Sequence, residues 1–210
     1  MVDGITRAPK RSWRTIRMRW VVVALGLAII AVIGRFGYWA IAEHRFTTVT
    51  AHQLYQSAQM PPDQLLRVAE KHGIKTVIDL RTFEQAEEIE EERAALADSE
   101  YNYIHLPMLH DPVDETVLKF LEIVGNPANR PVLIHCHHGT GRSVLLSSLF
   151  RVEFENWDNE AARRKVEPLH WRGNFAADAP KGQYLLSYKP HGTSVLFTAP
   201  DAVQGPKDDL

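Results

Sequence analysis

The chain has 210 residues, 45% of them hydrophobic and 24% charged, an ordinary globular balance with room for one core-forming domain. A formal net charge of −2 gives no general reason to expect nucleic acid as a partner. A single cysteine, Cys136, excludes a disulfide framework and a two-cysteine zinc site.

The N-terminus breaks the even charge balance. Residues 1–19 form a basic leader with Arg7, Lys10, Arg11, Arg14, Arg17 and Arg19 against one acid, Asp3. An almost wholly apolar run follows from Trp20 to Ala42, interrupted by Arg35, and it reaches the roughly 20 residues needed to cross a bilayer if Arg35 snorkels to the far interface. Trp20 at one end, with Tyr38 and Trp39 at the other, suits interfacial belts. The spacing predicts an uncleaved transmembrane anchor over 20–42, with the N-terminus cytoplasmic and the rest extracytoplasmic, on the periplasmic side in a bacterium. A signal peptide cut after the small-x-small "AIA" at 40–42 is the main rival, although Phe36, Tyr38 and Trp39 are bulky for that position. A mitochondrial leader and a buried soluble helix are further alternatives.

Beyond residue 43, short β-rich runs alternate with helical ones. "KTVIDL" (75–80), "YNYIHL" (101–106) and "PVLIHC" (131–136) read as strands. Between them, "PDQLLRVAEKHG" is an amphipathic helix with Asp63 in its first turn and Gly73 at its end. "FEQAEEIEEERAALADS" is a second helix, whose crowded Glu84, Glu87, Glu88, Glu90, Glu91 and Glu92 are expected to form a solvated face. "DETVLKFLEIV" is a third, with Val117, Phe120, Leu121 and Val124 on one side. This alternation predicts an α/β fold: a mostly parallel sheet of four to five strands flanked by helices, with functional groups at the carboxyl ends of the strands. "WDNEAARRKV" reads as the last helix of a domain over 43–168, and 169–210 as an extended, partly ordered extension.

At the end of the third strand, "HCHHGTGRS" leads from strand through loop into the helix "RSVLLSSLFRVEFEN". Backbone N–H groups of His137, His138, Gly139, Thr140 and Gly141 should converge with a helix N-terminus into an anion site, the two glycines taking backbone angles that other residues resist. Cys136 lies at the bottom of that cradle, where the same positive field favours its thiolate, and Arg142 offers a planar fork for two oxygens of a tetrahedral oxyanion. The expected ligand is phosphate, with a nucleophile beneath it.

These residues resemble the His-Cys-x5-Arg-Ser/Thr signature of cysteine-dependent protein phosphatases, most like the dual-specificity group. The resemblance extends over about residues 50–168, including "LYQSAQ" and "VIDLR", which look like the start of compact bacterial and plant-fungal members. It implies a phosphocysteine intermediate on Cys136, with Ser143 hydrogen-bonded to the sulfur. It also implies an aspartate general acid upstream: "LPMLHDPVDET" offers Asp111, favoured because it lies in loop, and Asp114, expected to cap the following helix. His135 is expected to shape the loop, and no metal or cofactor is expected, since alternate strand residues point to opposite faces. Arg81 is expected to pair with the acidic helix rather than touch substrate. The substrate expected is a phosphorylated protein, alternatively a phospholipid or other small phosphate; a non-catalytic phosphate-binding module and a rhodanese-type sulfurtransferase remain as other classes.

Overall fold

A computed structural model describes residues 13–166 and 173–192. Most of the basic leader and residues 169–172 and 193–210 of the tail therefore lie outside the described residues. The chain divides into two compact units, Met1–Glu43 and His44–Leu210.

Among the described residues, the first unit carries one helix, α1 (Trp13–Ile41). Its stretch Trp20–Ile41 has 22 residues and a mean hydropathy of 2.2, long and apolar enough to cross a membrane by length and composition. Arg35 does not stay among the apolar side chains. Its Nη1 reaches Glu43 Oε2 at 3.2 Å, beyond the helix end.

Among the described residues of the second unit, five strands line up as β1-β2-β5-β3-β4. They are β1 (Thr47–Thr50), β2 (Leu54–Ala58), β3 (Thr76–Asp79), β4 (Asn102–His105) and β5 (Val132–Cys136). Only the β1–β2 pair is antiparallel; β2–β5, β5–β3 and β3–β4 are parallel. The helices are α2 (Pro62–His72), α3 (Ala86–Ala97), α4 (Asp114–Gly125), α5 (Arg142–Phe154), α6 (Asn159–Val166) and α7 (Pro180–Ser187). α2 stops where Gly73 turns to φ +62°, a left-handed cap that glycine takes without strain.

β5 is central, and its alternation assigns its residues to two cores. Val132, Ile134 and Cys136 face the larger core, with Phe120 and Leu121 of α4 and Leu145, Leu149 and Phe150 of α5. Leu133 faces the smaller one, with Leu65 and Ala69 of α2 and Leu96 of α3. α5 is buried on nearly all sides, with Ser143, Ser147, Ser148 and Glu153 enclosed among its apolar residues. The whole architecture aims the carboxyl end of β5 at the N-terminus of α5.

The segment expected to be extended beyond residue 168 instead carries α7 and packs into the larger core through Phe175, Leu185 and Tyr188. Polar contacts hold it there. Asn159 Nδ2 donates to the Leu186 and Tyr188 carbonyls at 3.1 and 2.7 Å, and Tyr188 donates to Glu153 Oε2 at 2.6 Å. Buried Glu153 also accepts from the His191 amide. The sequence hid this docking because few apolar residues are involved and proline and glycine punctuate them.

Candidate active site

β5 ends at Cys136, whose Cα is paired in register with Ala58 of β2, while His135 is paired with Asp79 of β3. Residues 137–141 then turn directly into α5, which begins at Arg142. Gly139 has φ +63°, a left-handed backbone that side chains resist, and its N–H donates to Cys136 Sγ at 3.3 Å. Gly141, by contrast, lies at φ −136°, so only one of the two glycines is required by a left-handed backbone.

Cys136 is buried, with Ser143 Oγ 3.4 Å from its sulfur. Burial pushes the thiol pKa up, but the Ser143 hydroxyl and amide, the Arg142 charge and the Gly139 amide outweigh that and hold it below the ordinary thiol value. A lowered thiol pKa at the carboxyl end of a central strand is what a nucleophile at neutral pH requires.

Arg142 is fixed from below. Its Nη1 donates to the Leu80 carbonyl at 2.9 Å and the Met108 carbonyl at 3.2 Å, tying the guanidinium to the ends of β3 and of the segment after β4. The loop is braced on its other side as well. His137 Nδ1 pairs with Gln59 Oε1 at 3.0 Å, and Arg45 Nη1 donates to the His138 carbonyl at 3.1 Å. Thr140 is half-buried and His138 exposed, so both lie at the open rim.

Behind the loop is a buried charge cluster. Arg81 donates to both oxygens of Asp79, at 3.0 and 2.9 Å, and to Glu92 Oε2 at 2.8 Å, which is the expected ion pair with the acidic helix. His135 does not contact the loop through its ring. Its Nε2 lies 2.7 Å from Glu92 Oε1, on the opposite face of β5 from Cys136. Tyr103 adds a hydrogen bond to Asp79 at 2.8 Å. Burial raises the Asp79 pKa, but His135 and Arg81 outweigh it and bring it down to about 2. For His135 burial lowers the pKa, and the adjacent Glu92 carboxylate more than reverses this. Asp79, Glu92 and His135 present ligand atoms within 4.8 Å of one another, near enough for a metal ion, yet the Arg81 guanidinium already lies against both carboxylates. The other crowded glutamates, 84, 87, 88, 90 and 91, are exposed as a solvated face.

The two acid candidates part ways. Asp111 is exposed on the 106–113 segment. Asp114 is not the N-cap: α4 starts with it, Val113 takes the cap position without a side-chain bond, and Asp114 Oδ1 accepts from Tyr184 of α7 at 2.7 Å. Sequence reasoning missed Gln59 and two α7 residues, Tyr184 and Lys181. Lys181 is 4% exposed and feels the charges of Asp111, Arg142 and Cys136, which sets its ammonium at the same site. A separate cavity of about 410 Å³, lined by Leu118, Leu121, Gly125 and His191, shares no residue with this constellation.

A thiol under a glycine-turned loop, an arginine six positions on and a parallel sheet behind them define a phosphatase domain of the dual-specificity, cysteine-based class. The chain belongs to the family described as DSP-PTPase phosphatase fused to NAD+ kinase, which matches residues 31–177. Dual specificity protein phosphatase TpbA of Pseudomonas aeruginosa strain UCBPP-PA14 is 30% identical over 124 residues, 58% of this chain and 51% of the relative. The chain thus spans about half the length of the curated relatives it matches. Among solved structures, the core catalytic domain of the PP-IP phosphatase SIW14 from S. cerevisiae, in complex with citrate, is similar with a TM-score of 0.58 at 22% identity, covering 72% of this chain and 89% of that one. P. aeruginosa TpbA is similar with a TM-score of 0.53 at 25% identity, covering 68% and 84%.

Proposed function

We propose that the chain hydrolyses phosphomonoesters through a phosphocysteine on Cys136, acting as a tyrosine or dual-specificity protein phosphatase. The observation that carries this reading is the sulfur itself: buried, hydrogen-bonded by the Gly139 amide at 3.3 Å and beside Ser143 Oγ at 3.4 Å, at the N-terminus of α5. In the first step the Cys136 thiolate attacks phosphorus, the S–P bond forms and the ester P–O bond breaks. Arg142 and the 137–142 amides hold the equatorial oxygens as charge spreads over them. The leaving oxygen takes a proton from the Asp111 carboxyl. In the second step the Asp111 carboxylate takes a proton from water as that water attacks phosphorus, and the sulfur leaves as thiolate with Ser143 donating to it. Arg142, fixed by two carbonyls, supplies the positive charge, so no step calls for a metal.

Asp111 is assigned as the acid because Asp114 is engaged by Tyr184. Asp111→Asn should lower kcat for alkyl phosphates about 10²–10³-fold and for p-nitrophenyl phosphate far less, since a good leaving group needs little protonation. Asp114→Asn should stay within a few-fold on both. The reverse pattern would exchange the two roles.

α1 supports membrane anchoring with the N-terminus cytoplasmic, because the positive residues precede the apolar span. An anchor also favours a second reading, in which the substrate is a phospholipid. Full-length protein in detergent, assayed in EDTA, should release phosphate from p-nitrophenyl phosphate and from phosphotyrosine peptides faster than from phosphoserine peptides or anionic phospholipid vesicles. Faster phospholipid turnover would transfer the assignment to the lipid, and a requirement for a divalent ion would sink the mechanism.

A further inference from the structure

Lys181 is the second residue of α7, and α7 begins beyond residue 177, where the family match ends. Its side chain is unusual for a lysine. The residue is 4% exposed, and among the described residues it donates no hydrogen bond and joins no ion pair. The stem accounts for that burial: Nζ is not among the sealed, unpartnered polar atoms, so the ammonium stays open to a ligand while its methylenes are packed. Three charged groups act on it: Asp111, Arg142 and Cys136, the residues assigned here to acid, oxyanion clamp and nucleophile. Its Cε lies 3.5 Å from where a Cβ on Gly141 would stand, so the lysine stem crosses the phosphate loop at a glycine.

We propose that Lys181 is a phosphate-binding residue, whose ammonium donates to an oxygen of the phosphoryl group seated in the 137–142 loop. This rests on the phosphatase reading and deepens it by adding a cation from outside the matched domain. Charge arithmetic gives the reason. A phosphomonoester dianion above a thiolate brings three negative charges together, against which Arg142 alone sets one positive charge; a second cation relieves that repulsion before attack. The lysine is also held in place rather than free to swing. Tyr184 ties α7 to Asp114, Asn159 holds its C-terminal carbonyls, and Gly182 packs so tightly that an added Cβ would sit 1.9 Å from the Ala176 carbonyl oxygen.

The test uses full-length protein in detergent and tungstate, a tetrahedral dianion of phosphate's shape, with binding read by calorimetry. Lys181→Met should weaken tungstate binding about tenfold or more, Lys181→Gln should do the same, and Lys181→Arg should restore it to within about threefold. Thermal unfolding of each variant identifies one that fails to fold, and the two neutral replacements make the comparison independent of either alone. If both neutral variants bind tungstate as the wild type does, the proposal is wrong. That holds even if their leaving-group dependence changes, which would make Lys181 only a positioning residue for Asp111. Wild-type turnover of p-nitrophenyl phosphate separates the two readings: turnover with unchanged tungstate affinity in the variants sinks Lys181 alone, whereas absence of turnover sinks the phosphatase assignment and leaves the binding comparison to be judged by itself.

Discussion

Replacing Cys136 by serine is expected to lower turnover of p-nitrophenyl phosphate by about 10⁴-fold or more while leaving tungstate binding intact. The two outcomes separate because the site handles the ligand and the nucleophile with different atoms. Arg142, anchored on the Leu80 and Met108 carbonyls, and the loop amides do not depend on sulfur. A serine hydroxyl can still accept from the Gly139 amide. It cannot become an anion at neutral pH, because the donors that bring a thiol below its ordinary pKa are far too weak to ionise an alcohol. The neighbour at 3.4 Å, Ser143 Oγ, is itself a neutral hydroxyl and is no base for another alcohol. The same pKa shift fixes the sign of the pH dependence. Thiolate is the reactive form, so kcat/KM should persist below the ordinary thiol range and fall as pH drops through the Cys136 value. Residual activity of a few per cent in Cys136→Ser, measured against a blank without protein, would remove Cys136 from the nucleophile's role.

The parts of this site that the sequence shows are those carried by contiguous residues. Central parallel strands are buried on both faces, so Val132–Cys136 and Thr76–Asp79 stand out as apolar runs, and the turn from strand to helix displays Cys136, Gly139 and Arg142 in order. β1, "TTVT", is an edge strand of threonines four residues long and leaves no hydrophobic pattern to find. Glu92 was legible in principle. It falls three residues after Ile89 and four before Leu96, on the buried stripe of α3, so it turns inward to Arg81 and His135 while its neighbours stay in water. The role of Asp114 was misread because an aspartate before a helix fits the cap pattern; its partner, Tyr184, comes from a segment whose prolines and glycines suggest coil. Lys181 leaves no local signal at all. Its relation to Cys136 is created only when α7 docks, which depends on Phe175, Leu185 and the buried Glu153–Tyr188 bond rather than on any motif.

Gly139→Ala is expected to cost both fold and chemistry, and the two losses share one cause. At φ +63° an alanine pays roughly 1–2 kcal/mol of backbone strain wherever it is placed. Here its Cβ would also lie 2.5 Å from Ala58 N and 2.9 Å from Ala58 Cα, within the backbone of β2. That strand has little freedom to retreat, since Ala58 is in register with Cys136 and its amide donates to the His44 carbonyl. The loop must therefore move, and with it the Gly139 N–H now 3.3 Å from Sγ. Losing that donor lets the pKa of Cys136 rise and removes one preorganised amide from the oxyanion cradle, which together should lower kcat/KM about 10²–10³-fold. Strain and crowding should lower stability by about 2–4 kcal/mol. Because Cys136 is the chain's single cysteine, its alkylation by iodoacetamide reports the thiolate directly, and in the variant the pH at which alkylation accelerates should move upward. Gly141→Ala is the matching comparison: its φ of −136° lies outside the left-handed region, and the nearest contact of an added Cβ is the flexible Lys181 Cε at 3.5 Å rather than backbone. Equal effects at 139 and 141 would show that β2 yields to the added methyl after all, and that the close approach at Gly139 does not hold the sulfur in place.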